Sequence, residues 1–139
     1  LPVVDLLFTA TKNGGAFLNG DPIQVTTRSQ TPGACILASK ANFQDKYWPG
    51  GFPDIRRSFR SSLAYRLCLV AQGSFDGMLT LRPTWEWDVA AGCLIVEESG
   101  GVATDQIGAQ TTFNNPTPQL HGIVASNTNI HRDLMAGLT

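Results

Sequence analysis

The run Trp87-Asp88-Val89-Ala90-Ala91-Gly92-Cys93-Leu94-Ile95-Val96-Glu97-Glu98-Ser99, closed by Gly100-Gly101, decides how the rest of the chain is read. It predicts a helix whose first free N–H groups are capped by Asp88 and whose end is marked by the glycine pair. The first turn is stripped to Ala90-Ala91-Gly92, and small residues there let another backbone, a metal ion or a phosphate come close. A helix N-terminus also offers unpaired donors and a positive dipole end, which suits an anion. Spacing alone favours an ordinary Asp-capped core helix.

The wording of the run narrows this. Trp-Asp-x-Ala-Ala-Gly-x-Leu-Ile-Val-x-Glu-x-Gly-Gly closely resembles the second signature of the inositol monophosphatase superfamily of magnesium-dependent, lithium-sensitive phosphatases. Leu7-Phe8-Thr9-Ala10 followed by Gly14-Gly15-Ala16-Phe17-Leu18-Asn19-Gly20 resembles the strand-turn-strand before that family's domain junction. Cys68-Leu69-Val70-Ala71-Gln72-Gly73 is similar to its mid-chain helix end, and Ala125-Ser126-Asn127 to its last strand and helix start. The matches stand in family order and span nearly the whole chain.

The family's first signature, an Asp-Pro-x-Asp-Gly-Thr run that supplies metal ligands and phosphate contacts, is not found. Asp21-Pro22-Ile23 is a decoy, because Gln24-Val25-Thr26 follows it. No upstream Glu pair is present, and the chain opens without Met on Leu1-Pro2-Val3-Val4. The expectation is that residues 1–139 form a single domain, the C-terminal half of a longer phosphatase whose N-terminal metal-binding half is absent. With one recognisable metal ligand, residues 1–139 alone are expected to be inert.

Composition agrees with a folded domain. At 139 residues and 42% hydrophobic, the chain can bury a core of its own. A net charge of −1 argues against a basic nucleic-acid surface or a polybasic membrane patch. No apolar run reaches the ~18 residues a bilayer span needs. Cys35, Cys68 and Cys93 sit in apolar strings without metal-ligand spacing, which reads as reduced thiols and a cytoplasmic location. His121 and His131 are isolated and are read as surface or capping residues.

Strands and helices alternate along the chain. Strands are expected over Val3–Thr11, Ala16–Val25, Ala34–Ser39, Phe75–Leu81, Val102–Thr104 and Gly122–Ala125, with turns at Gly14-Gly15 and Asn19-Gly20. Asn42–Asp54, with Pro49, Gly50, Gly51 and Pro53, reads as irregular. Leu63, Leu67, Val70 and Ala71 mark the buried stripe of a helix from Ser61 to about Ala71. A last helix starts at Asn127 or Thr128. The alternation implies an α/β layered sheet. The resemblance implies, more specifically, an α/β/α sandwich around a mostly parallel sheet.

The resemblance also implies the chemistry, hydrolysis of a phosphomonoester by water activated on divalent metal, with Mg2+ as the cofactor. Asp88 is the expected metal ligand, and Trp87 a packing residue that fixes it. Glu97 and Glu98 lie too far along the helix to share the ion and are read as solvent-facing or as contacts to a second domain. Asp76 and Asp105 read as turn formers. Inositol-specific members carry a Glu seven residues before the metal-binding Asp; here that position is Leu81, followed by Arg82. Arg66 stands where nucleotidase members carry a Lys, and Ser39-Lys40 where they show a Ser-Arg-Ser run; Ser61-Ser62 only approximates their small-residue turn. The expected substrate-binding set is therefore Ser39, Lys40, Ser61, Ser62, Arg66 and Arg82. It favours a 3′(2′),5′-bisphosphate nucleotidase releasing AMP and phosphate. The alternatives are an inositol-phosphate phosphatase, another superfamily phosphatase such as histidinol-phosphatase, or a non-catalytic binding member of the fold. The partners expected are a small phosphorylated metabolite, the missing N-terminal domain and, by resemblance, a second copy in a homodimer, with no nucleic-acid polymer and no membrane.

Overall fold

The computed structural model describes residues 1–139, and the quoted helix is its axis of assembly. Helix α2 (Glu86–Glu98) turns Val89, Gly92, Cys93 and Val96 inward, one face at the i, i+3, i+4, i+7 spacing. It ends as the glycine pair predicts. Gly100 takes a left-handed φ of 86°, its N–H bonds Glu97 O at 3.1 Å, and the Gly101 N–H bonds Val96 O at 2.9 Å. These two bonds form a Schellman cap. Gly92 lies against Leu67 of helix α1 (Leu63–Ala71), so its missing side chain serves the helix pair rather than a metal or phosphate.

Ahead of these helices stand β1 (Phe8–Thr11), β2 (Gly15–Leu18) and β3 (Asp21–Pro22), an antiparallel ribbon. The β2–β3 turn uses Asn19 and Gly20, both at positive φ (50° and 87°), as an Asn-Gly hairpin requires. The expected strand from Val3 is shorter than predicted. Pro2–Val4 forms a 3-10 turn started by proline, and pairing begins only at Phe8.

The main sheet joins β4 (Ala34–Leu37), β5 (Ile55–Ser58), β6 (Gly77–Thr80), β8 (Val102–Thr104) and β10 (Ile123–Ser126), in the order β5-β4-β6-β10-β8. β4 pairs in parallel with β5 and β6, whereas β10 runs antiparallel to both β6 and β8. Four strands therefore share one direction and only β10 is reversed. A separate two-residue pair, β7 (Thr84–Trp85) with β9 (Gln119–Leu120), leads the chain into α2.

Two cores flank the sheet. On one face Leu67, Val70, Val89, Cys93 and Val96 of the two helices pack on Leu37, Met78, Ile123 and Ala125. On the other, Ile130 and Leu134 of helix α3 (Thr128–Leu138) pack with Trp48 on Ile36, Leu79 and Val124. This is an α/β/α sandwich. Asn127 caps α3 by accepting the Ile130 N–H at 3.0 Å, and its amide donates to Thr26 O at 2.9 Å and Arg28 O at 3.1 Å. The three thiols are unpaired; burial pushes Cys68 up to about 11, and burial followed by the charge of Glu97 pushes Cys93 up to about 12. No helix is long and apolar enough to cross a membrane.

Candidate metal-ligand and anion site

The start of α2 differs from the sequence expectation. The N-cap residue is Trp85, and Asp88 is the third residue of the first turn rather than the cap. Tertiary bonds set this earlier start. Trp85 pairs with Gln119 across β7 and β9, and the Glu86 N–H bonds Pro118 O at 3.0 Å. The Glu86 carboxylate accepts the Asn114 N–H at 2.6 Å, the Asn115 N–H at 3.1 Å and the Asn115 amide at 2.6 Å. Burial raises the Glu86 carboxyl, but these donors outweigh it and hold it below its ordinary value.

Asp88 itself makes no hydrogen bond or ion pair and is exposed. A carboxylate left free beside the first N–H groups of a helix is suited to an external cation, as one oxygen donor among several. No group of three or more His, Cys, Asp or Glu side chains gathers around it or elsewhere in the chain. Residues 1–139 thus fit one ligand of a hard metal ion and not a complete site. Trp87 does not pack beneath Asp88. It is 66% exposed and stacks on the half-exposed Trp85, with ring centroids 4.8 Å apart.

Three of the six expected substrate residues meet. Ser39, Arg66 and Arg82 line one cleft of about 300 Å3 with Tyr47, Phe59 and Thr80. Arg66 is only 7% exposed, its Nε donates to Arg60 O, and its guanidinium lies 4.6 Å from the Phe59 ring centre. Burial, then the nearby Arg82 charge, lowers the Arg66 pKa from its ordinary value. Neither arginine has a carboxylate partner, because the ion pairs of the chain are Arg28–Asp76 and Arg132–Asp133. Two guanidiniums lining one cleft without an acid between them have the charge and the donors that suit an anion.

The other three fall elsewhere. Lys40 lines a neighbouring cleft with Arg57. Ser62 is the α1 N-cap, at φ 66°, and its Oγ accepts the Tyr65 N–H at 3.3 Å. Ser61 is exposed and makes no side-chain bond. Leu81 is buried in the α3-side core and does not reach the cleft.

Several polar residues do more than their spacing suggests. Glu98 accepts the N–H groups of Asn13 at 2.8 Å and Gly15 at 2.9 Å, so within these residues it caps the β1–β2 turn. Asp76, read as a turn former, is buried, accepts the Cys35 N–H at 2.8 Å and pairs with Arg28 at 3.4 Å. Asp105 does form its turn, accepting the Ile107 and Ala109 N–H groups at 3.0 and 2.8 Å. His131 is half-buried, 2.8 Å from Thr104 Oγ1, and burial lowers its pKa. None of these partners is near in sequence except at Asp105, and only that turn carries a local signal.

Fold and site together define an α/β/α domain that presents one free carboxylate at a helix mouth and an arginine-lined cleft. The family model for the inositol monophosphatase family matches residues 1–139, and the chain belongs to that family. It is 36% identical to tomato (Solanum lycopersicum) inositol monophosphatase 3 over 118 residues, covering 78% of this chain and 44% of the relative. It is 33% identical to the Salmonella typhimurium Nus factor SuhB, covering 99% of this chain and 52% of that protein. The crystal structure of the Bartonella henselae extragenic suppressor protein suhB superposes with a TM-score of 0.81 at 29% identity, over 99% of this chain and 55% of that one. The chain thus spans about half the length of the relatives it matches.

Proposed function

We propose that the protein carrying this chain is a Mg2+-dependent phosphomonoesterase in which Asp88 supplies one metal ligand. The observation that carries this reading is the free, exposed carboxylate of Asp88 within the signature run of a phosphatase family. A divalent ion bound there would polarise a phosphoryl oxygen and lower the pKa of a water nucleophile. Asp88 would offer its carboxylate oxygens to the ion, and the start of α2, held by Pro118, Asn114 and Asn115, sets where that side chain stands. The remaining ligands are proposed to come from sequence beyond residues 1–139, since the relatives are about twice as long. Residues 1–139 alone would then be inactive. The unpaired thiols fit a cytoplasmic enzyme, and a homodimer is part of the same proposal.

The substrate we favour is a 3′(2′),5′-bisphosphate nucleotide, cleaved to AMP and phosphate. Arg66 and Arg82 would hold the phosphate that is not cleaved, with Ser39 at the same wall. An inositol phosphate is the second reading, favoured by the names of the tomato relatives. Against it, the position that would carry an inositol-binding Glu is a buried leucine, Leu81. A non-catalytic role is the third, and the Salmonella relative is named as a Nus factor. The test is phosphate release by the intact protein from adenosine 3′,5′-bisphosphate, inositol 1-phosphate, histidinol phosphate and fructose 1,6-bisphosphate. Preference for the first supports the proposal; preference for the second moves the assignment, and no release from any supports the non-catalytic role.

A further inference from the structure

The cleft next to the Arg66–Arg82 site has no part in the reading above. Lys40 and Arg57 line it together with Phe43, Phe52, Pro53 and Ile55, around about 370 Å3. The walls are backed by a fixed aromatic stack. Phe43 lies parallel to Trp48 with ring centroids 5.6 Å apart, and Trp48 meets Phe52 at 6.2 Å. Trp48 is buried, and its Nε1 donates to Asn42 O at 2.8 Å. Phe52 leaves 52% of its surface exposed.

The charge here is unbalanced. Arg57 is braced by a 3.2 Å bond from Nη1 to Ala38 O, and neither Arg57 nor Lys40 has an acidic partner. Residues 40–60 hold Lys40, Lys46, Arg56, Arg57 and Arg60 against only Asp45 and Asp54, in a chain whose net charge is −1. A ligand complementary to this cleft is anionic at one end and flat and apolar at the other.

We infer that this cleft binds a small aromatic anion, its ring against Phe43 and Phe52 and its carboxylate, sulfonate or phosphate head on Lys40 and Arg57. The short turn Lys40–Asn42 separates it from the substrate cleft: Lys40 and Phe43 face one, Ser39 and Asn42 the other. The inference therefore stands apart from the proposed phosphatase activity.

Calorimetric titration of the intact protein with naphthalene-1-sulfonate, which a phosphatase cannot hydrolyse, tests it, with uncharged naphthalene-1-methanol as the control ligand. Lys40→Gln and Arg57→Gln should each weaken sulfonate binding by about 10-fold or more while leaving the alcohol unchanged. Phe52→Ser should weaken both ligands, and Arg82→Gln neither. Binding lost in Arg82→Gln but kept in Arg57→Gln would put the probe in the substrate cleft and overturn the inference. Absence of sulfonate binding would overturn it too, as would a dimer of the intact protein that Phe52→Ser dissociates, because a second copy would then cover the cleft.

Discussion

A Cβ added to Gly92 would stand 2.5 Å from Leu67 Cδ1 and 2.7 Å from Leu67 Cβ, so α1 and α2 pack at a distance that only glycine allows. The leucine tip could rotate away, but its Cβ is fixed to the α1 backbone. Gly92→Ala should therefore destabilise the fold by about 1–3 kcal/mol, as overpacking of a dense core does. Urea unfolding checks it: the midpoint should fall with an unchanged slope. An unchanged midpoint would mean that the helices part at little cost.

The pH dependence of stability should carry the mark of Glu98. Its carboxylate is held below the ordinary range, first by the Asn13 N–H and next by the Gly15 N–H. A carboxyl whose folded pKa is depressed stabilises the fold fully above its unfolded value, about 4.3, and loses that contribution as pH falls through the folded value. Glu98→Ala should be less stable than wild type at pH 7, and the gap should close progressively below about pH 4. A gap of equal size at pH 3 and pH 7 would show that the charge is not what fixes the turn.

Asp88→Asn should leave folding intact, because the carboxylate bonds nothing in the chain. Loss of a residue that merely supports a metal ligand costs about 10–100-fold in affinity or activity. On the proposed assignment, loss of the Asp88 charge in the intact protein should cost at least as much phosphatase activity, with an unchanged melting temperature. Near-normal turnover at saturating magnesium would remove Asp88 from the metal site.

Substrate preference should follow Arg82. Its side chain is exposed and makes no hydrogen bond within the chain, whereas Arg66 also holds Arg60 O, so Arg82→Ala is the cleaner variant. A charge-assisted contact is worth about 1.5–3 kcal/mol. Its loss should raise KM for a bisphosphate about 10-fold or more and scarcely change hydrolysis of inositol 1-phosphate. Added salt should weaken the bisphosphate preference more than the basal rate. Equal losses on both substrates would move the assignment to the inositol-phosphate reading.

The legible parts of the fold were those fixed by local chemistry. The Gly100-Gly101 stop, the Asn19-Gly20 turn, the Asn127 cap and the inward stripe of α1 each depend on residues within a few positions of one another. Strand β5 carries no sequence signal, because Ile55-Arg56-Arg57-Ser58 shows no apolar alternation, and as an edge strand it needs none. The two-residue strands β7 and β9 are too short to carry any pattern. The N-terminus of α2 is illegible for a related reason: its start is held by Pro118, Asn114 and Asn115, distant in sequence.

By itself the sequence determined the family run around Asp88, the succession of strands and helices, and the residue types available for metal and anion chemistry. Tertiary structure decided which of them act together. It joined Ser39, Arg66 and Arg82 in one cleft and sent Lys40 to another, and it made Glu86 and Glu98 anchors of loops about 28 and 85 residues away. The physical reason is that local signals come from backbone geometry and periodicity. A carboxylate or guanidinium gains its role only from the donors, acceptors and charges that the packed sheet brings within about 3 Å.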